Sequence, residues 1–379
     1  MRFTAKILQE LAFKQIRMRP ASIKDIAQAL GISIGTVDRA LHGRSDVSPI
    51  TRARILKKAE QLGYQPNLAA RSLKLNHRLR IGVYLPRQIS SFFDPVRSGV
   101  HAAASAATGV NVEVVFRTFP RLDEGDVELL AADVGEKFNG ILIAPGNPDH
   151  IGPALSAIAR RGVSVVCVSS DAPRSERLAS VTVDGHTSGA IAAELFSRAI
   201  YKPGHLATIT GELTTLDHAE KLRGFAANLA VFAPHLSLLP AIESHEQPKI
   251  AYRQAIALLS RKPYPLGIYI STANSIPVLH ALEEKRLLGE VRIITTDLFP
   301  ELVPYIESGK ILATLYQRPF TQGKTALELL LRYLLNGVAP EPVNRLNPHI
   351  ILRANLSLFT GYLTNDDETV GSAQQIVNV

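Results

Sequence analysis

Ser22-Ile23-Lys24-Asp25-Ile26-Ala27-Gln28-Ala29-Leu30-Gly31-Ile32-Ser33-Ile34-Gly35-Thr36-Val37-Asp38-Arg39-Ala40-Leu41 holds two helical periods separated by one turn. Ser22 is placed to N-cap the first helix, with Asp25 three residues on in the capping-box position. Ile23, Ile26, Ala27 and Leu30 share one face, and Gly31 ends the helix. Ser33 offers a second cap before a helix predicted over Thr36 to Leu41, with Val37, Ala40 and Leu41 turned inward. Two short helices joined by a tight turn have the spacing of a helix-turn-helix, whose second helix enters the DNA major groove. Ser48-Pro49 then caps and opens a third helix, with Ile55, Leu56, Ala59 and Leu62 as its expected buried stripe and Gly63 as its stop.

The second helix presents Ile34, Gly35, Thr36, Asp38, Arg39 and His42 outward. Arg39 suits either a phosphate or a bidentate contact to guanine, the latter worth about 1–3 kcal/mol of discrimination. Ile34 can meet a thymine methyl, Gly35 offers only backbone, and His42 suits a phosphate or a cap. Asp38 either reads a cytosine amine or pairs with Arg39. Gly31-Ile32-Ser33-Ile34-Gly35 also matches the G-x-S-x-G pattern of hydrolases, but that elbow needs a strand before its serine. Here a helix precedes, so no catalytic role is expected for Ser33.

Charge is concentrated at the same end. Residues 1–80 hold 16 Lys and Arg against 5 Asp and Glu, a net of +11, so the whole-chain +8 leaves −3 for the remainder. A compact basic module is the electrostatic footprint of a polyanion, because each cation placed on a phosphate releases condensed counterions. With 379 residues, two or three domains are expected. The single Cys167 lies in the apolar run Val163 to Val168, which excludes a disulfide framework and fits an inert buried thiol in a reducing compartment. Lys6, Gln9, Glu10 and Lys14 interrupt the N-terminus, so no signal-peptide core is read there, and no apolar run spans a membrane. A cytoplasmic protein with no membrane partner is expected. Residues 1–20 are either an extension with a short amphipathic helix on Ile7, Leu8, Leu11, Ala12 and Ile16, or a stretch upstream of a true start at Met18.

Beyond His77 the pattern becomes strand, helix, strand. Buried strands are predicted at Ile81–Leu85, Val112–Val115, Gly140–Ala144, Val163–Val168, Leu206–Ile209, Leu266–Ile270, Val291–Ile294 and Leu312–Leu315. Such alternation implies an α/β body of doubly wound parallel sheets in two lobes, with ligands bound at the carboxyl ends of the strands. Polar and aromatic groups collect there: Phe92, Phe93, Asp171, Asn274, Asp297 and Gln317. Rings beside carboxylates and amides suit a sugar, whose C–H faces stack and whose hydroxyls pair. The 11 histidines show no metal spacing, and no phosphate loop or nucleophile–base pair is present, so neither metal, cofactor nor enzyme activity is expected.

Ser22 to Ala27, Gly31-Ile32-Ser33, Thr36-Val37, Arg39-Ala40-Leu41, Val47-Ser48, Thr51-Arg52, Gly63-Tyr64-Gln65-Pro66-Asn67 and Ala70-Arg71-Ser72-Leu73 together resemble the head of the lactose-repressor family of bacterial transcription regulators, without gaps from Ala21 to His77. The resemblance implies a DNA-binding head at 21–66 and a hinge helix with linker at 67–79. In the hinge, Leu73 would be a wedge in the minor groove, with Asn67, Arg71 and Lys74 at the groove or its phosphates. An apolar wedge unstacks a base step and kinks the duplex, a cost offset by added contacts. Ile34-Gly35 departs from the larger polar residues many members carry there, which leaves the operator sequence open.

Residues 80–360 resemble the periplasmic-sugar-binding fold used as effector domain in that family. Phe92-Phe93, with Val96 and Gly99, is similar to the stacking motif of ribose-type members. Asn274, Asp297 and Gln317 stand where the family places ligand-bonding groups, and Asp171 at its aspartate. Val183-Asp184-Gly185 resembles the crossover between lobes. Lys221 replaces the usual ligand arginine and Ala172 follows the aspartate, so forked donors are lost and the ligand need not be a pentose. The polar tail, 361–379, has no leucine heptads, which argues against a coiled-coil tetramer. The resemblance implies a homodimeric repressor that binds double-stranded operator DNA and is switched by a small carbohydrate effector. A transport solute-binding protein shares only the body, and a hydrolase rests on Ser33 alone.

Overall fold

The computed structural model describes residues 22–41, 47–62 and 78–361. The expectations for residues 1–20, His42, the hinge residues Asn67, Arg71, Leu73 and Lys74, and the tail beyond Gly361 lie outside the described residues. The described chain falls into a small unit holding the N-terminal helices and a large unit holding two sheets.

The small unit has helices α1 (Ile23–Leu30), α2 (Ile34–Leu41) and α3 (Pro49–Gln61). Each begins on a serine. Ser22 and Asp25 form a full capping box, with Asp25 N–H donating to Ser22 Oγ at 3.3 Å and Ser22 N–H to Asp25 Oδ2 at 2.6 Å. Ser33 Oγ accepts from Thr36 N–H at 3.1 Å, and Ser48 Oγ from Thr51 N–H at 3.2 Å. A cap of this kind contributes about 1 kcal/mol. Gly31 closes α1 with φ of 65°, the left-handed conformation an L side chain resists. Ile26, Ala27, Val37, Ala40, Val47, Ile55 and Ala59 make the core. Leu56 was expected in that core and is instead 49% exposed. The buried stripe of α3 runs Ile55, Ala59, Leu62, so Leu56 lies about 100° round the helix from it.

In the large unit, β1 (Leu79–Pro86), α4 (Ser90–Ala106), β2 (Val112–Phe119), α5 (Asp126–Ala132), β3 (Gly140–Ile143), α6 (Pro148–Arg160), β4 (Ser164–Val168) and β5 (Ala179–Val183) build the first sheet. The chain then leaves through α7 (Gly185–Ala199) to β6 (Gly204–Thr210), α8 (Leu216–Phe232), β7 (Leu236–Leu238), β8 (Ile242–Glu243), α9 (Pro248–Leu259), β9 (Gly267–Ile270), α10 (Ile276–Glu284), β10 (Arg292–Thr296), α11 (Val303–Glu307) and β11 (Ala313–Tyr316) of the second. It returns through α12 (Pro319–Asn336) to β12 (Val343–Leu346), crosses again to β13 (His349–Ile351), and continues to α13 (Ser357–Thr360).

The first sheet has order β12-β5-β4-β3-β1-β2 and is parallel throughout. The second has order β13-β11-β10-β9-β6-β7, with β8 also paired to β6, and is parallel except for β13. The chain passes between the sheets three times. Strand order reverses beside β1 and β3 in one sheet and beside β6 and β9 in the other, and in open sheets the ligand crevice opens at such switch points.

All eight predicted strands are present, with β2 running on to Phe119. Five further strands, β5, β7, β8, β12 and β13, were not anticipated; each has five residues or fewer. Asp184, read as part of a crossover, N-caps α7 by accepting from Thr187 N–H at 2.8 Å. Helices α7 and α8 meet backbone to backbone. A Cβ on Gly224 would stand 2.0 Å from the carbonyl oxygen of His186, so only glycine permits the approach that sets α8 in place.

Candidate functional site

A cleft opens at the carboxyl ends of both sheets, with about 450 Å³ of unoccupied space counted out to its mouth. The wall from the first sheet carries no charge: Ile89, Phe92, Phe93, Leu122, Ala144, Ser169 and Ser170. Ile89, with φ of 58°, accepts at its carbonyl from the N–H groups of Phe92 and Phe93 at 3.0 Å and so turns both rings inward. The rings meet edge to face, centroids 5.0 Å apart at 84°, and leave an apolar surface of the kind that C–H groups stack on.

The wall from the second sheet is charged. Three of its groups come from the first two turns of α8: Asp217, His218 and Lys221. Lys221 is 1% exposed and donates to Asp217 Oδ2 at 2.6 Å, which is what makes a buried ammonium tolerable. His218 Nδ1 accepts the N–H of Glu212 at 3.0 Å. The same nitrogen also lies 3.0 Å from Thr215 Oγ1 and 3.1 Å from the Glu212 carbonyl oxygen, and Nε2 stands 3.2 Å from Glu246 Oε1. Glu246 is 3% exposed and accepts from Thr272 Oγ1 at 2.7 Å on its other oxygen. The carbonyl of Glu246 is held from the opposite wall by Gln88 Nε2.

Asp297 is also buried, 2% exposed, just past the end of β10 with φ of 67°. Gln317 gives it two hydrogen bonds, from N–H at 3.0 Å and from Nε2 at 2.7 Å. Burial pushes its carboxyl up to about 6 from an ordinary 3.8, against the opposing pull of the Lys221 charge and the Gln317 bonds.

Backbone strain gathers here. Of the eight non-glycine residues with positive φ among the described residues, Ile89, Ser169, Glu246 and Asp297 line the cleft, and Asp123, His245 and Arg318 each adjoin a lining residue. Such conformations cost about 1–3 kcal/mol each and collect where ligands are held. Unpartnered polar atoms gather here too: Ser169 Oγ, Ser170 Oγ and Glu246 Oε1 are buried without a hydrogen bond.

Of the residues expected to bind ligand, Phe92, Phe93, Lys221, Asp297 and Gln317 come together on the cleft walls. Asp171 and Asn274 do not line it. The carboxylate of Asp171 is engaged by Arg177 through two nitrogens, by Ser180 Oγ at 3.0 Å and by Ala172 N–H at 2.7 Å, an internal knot beneath the strand end. Asn274 donates its N–H to Thr272 Oγ1 at 3.2 Å, and its Nδ2 is buried without a partner. Sequence reasoning missed Asp217, His218, Glu246 and Thr272. The first two sit four and three residues before Lys221 on one helix, a spacing that could have found them. Elsewhere, Glu212, Glu243 and His245 bring potential metal ligand atoms within 4.8 Å of one another, with His245 Nδ1 2.9 Å from Glu212.

In the small unit, α2 carries the DNA-facing candidates. Ile34 is 53% exposed, Gly35 is exposed, and Thr36 and Arg39 are half-buried, with Arg39 Nη2 donating to Thr36 Oγ1 at 3.4 Å. Ser33 serves as the cap of α2 and follows a helix rather than a strand, so the hydrolase elbow is absent.

Residues 22–67 match the family described as bacterial regulatory proteins, lacI family, and residues 81–337 match the family described as periplasmic binding protein domain. Catabolite control protein A of Priestia megaterium is 25% identical over 346 residues, covering 87% of this chain and 97% of its own length. HTH-type transcriptional repressor PurR of Photobacterium profundum is 23% identical over 341 residues, covering 89% and 98%. Among solved structures, GanP, a glucose-galactose binding protein from Geobacillus stearothermophilus, superposes with a TM-score of 0.68 at 24% identity, over 74% of this chain and 99% of its own. A Caulobacter myo-inositol binding protein bound to myo-inositol gives 0.67 at 21%, over 74% and 95%. These relatives are regulators and binding proteins. Among the described residues no helix is long and apolar enough to cross a membrane.

Proposed function

Because the chain belongs to the lacI family of bacterial regulatory proteins, with a periplasmic binding protein domain as its body, we propose that it is a transcriptional repressor whose hold on operator DNA is set by a small polyhydroxylated effector in the cleft. One observation carries the reading: a capped helix-turn-helix and a cleft lined by strained, unpartnered polar groups occur in one chain. Two heads of a homodimer would enter successive major grooves of a near-palindromic operator. Ile34, Gly35, Thr36 and Arg39 of α2 would face the bases or phosphates, with Ser33 fixing the start of the helix. Between the heads, Arg71, Leu73 and Lys74 would act in the minor groove. Effector binding would act on the angle between the sheets, and a coupling of about 1–3 kcal/mol suffices to change occupancy several-fold or more.

Selection from random double-stranded DNA with the full chain is expected to return a near-palindromic site. Binding to it should fall steeply with salt, and Arg39→Ala should weaken the selected site more than unrelated DNA. Failure to enrich any sequence, or binding indifferent to salt, removes the regulator reading. Leu73→Ala should likewise weaken the selected site far more than nonspecific DNA, and an equal loss on both would reduce the hinge to a tether.

A further inference from the structure

We infer that the effector is a cationic polyol, an amino sugar or related hydroxylated amine, a statement that rests on the effector role of the cleft. The charges on the cleft walls do not balance. Asp217, Glu246 and Asp297 face it with carboxylates, and Lys221 is the one Lys or Arg among the lining residues. Lys221 is already bonded to Asp217. Three carboxylates thus share one ammonium, and two of them, Glu246 and Asp297, are buried, where a charge is weakly screened and costly to leave without enough countercharge.

Glu246 Oε1 points the same way: it is buried, lines the cleft, and accepts no hydrogen bond, although His218 Nε2 stands 3.2 Å off. A bare metal ion does not fit these charges. Among the described residues, the three acid or histidine groups that close to within 4.8 Å of one another are Glu212, Glu243 and His245, so the cleft carboxylates do not converge as a three-ligand set on one ion. An ammonium brings three N–H donors and no acceptor, the complement of carboxylates that only accept. Hydroxyls on the same molecule would satisfy Ser169 Oγ and Ser170 Oγ, and its ring would lie against Phe92 and Phe93, whose faces also favour a positive charge.

Titration calorimetry of the full chain at neutral pH, with matched sets on one skeleton, tests this: D-glucosamine, D-glucose and N-acetyl-D-glucosamine, then the galactose counterparts. An amine is expected to bind about tenfold or more tighter than both its hydroxyl parent and its N-acetyl derivative, the size of one charge-assisted hydrogen bond. Glu246→Gln, checked for an unchanged unfolding transition, should shrink that preference. Neutral sugars binding as tightly as the amines overturn the inference and leave the effector cleft standing. Binding by no member of either set overturns both.

Discussion

Three residues separate Ser22 from Asp25, Ser33 from Thr36 and Ser48 from Thr51, the pairs that begin the head helices. In the cleft, 20 residues separate Asp297 from Gln317, 26 separate Glu246 from Thr272, and 158 separate Gln88 from the Glu246 carbonyl it holds. The head is held by bonds any short segment can close, while the cleft exists only once both sheets are complete. Damage to a cap should therefore stay local, and damage to the cleft should reach the whole body.

Lys221→Met is the hardest test of that contrast. Removing the ammonium leaves Asp217 and Asp297 without their cation, and breaking a buried pair from one side costs about 3–5 kcal/mol. Urea denaturation at pH 7 reads the loss; a change below about 1 kcal/mol would show the cleft to be as tolerant as a surface. Phe93→Ala comes next. The ring is 3% exposed, and its removal should cost about 3 kcal/mol in the same titration and abolish effector binding; full stability would mean the rings are a lid and not a wall.

Asp297 sharpens the contrast through pH. Its folded value is raised to about 6 from 3.8, so between those limits the folded protein holds a proton the unfolded chain releases. Asp297 thus adds to the stability of the ligand-free protein as pH falls through that window and detracts from it at neutral pH, by about 3 kcal/mol. Asp297→Asn should raise neutral-pH stability and flatten this part of the profile. A profile that coincides with the parent's between pH 4 and 6, roughly the window over which such a carboxyl titrates, would contradict the burial argument. Ser22→Ala is the smallest, about 1 kcal/mol. It should speed hydrogen exchange in α1 and leave the body's transition where it was; a shift there would erase the distinction.

The same difference in reach decided what could be read from the sequence. The described part of the head was legible almost entirely, because each serine cap closes within one helical turn and each apolar stripe repeats every three or four residues. Leu56 escaped only because a pattern over thirteen residues does not fix the angle of a stripe to within one position. In the body, apolar runs located eight strands and, through them, the strand ends that carry Phe92, Phe93, Asp297 and Gln317. Strand-end position did not distinguish Asp171, bound by Arg177 and Ser180, from Asp297, which looks into the cleft. Glu246 follows a strand of two residues, too short for any periodicity, and acquires its role from Thr272 and His218, which no local pattern brings near it.

The three crossings between sheets also govern the order in which the molecule can be made. Strand β5 receives its outer neighbour only from β12, with Asn344 Nδ2 bonding the Ser180 carbonyl 164 residues later. At a synthesis rate of about 5–20 residues per second, that edge waits roughly 10–30 s with its ladder unpaired. During that interval it can template another chain. Nascent copies on one message are the nearest such chains, so slow stretches of translation before residue 343 should lower the yield of native protein without altering the stability of what does fold.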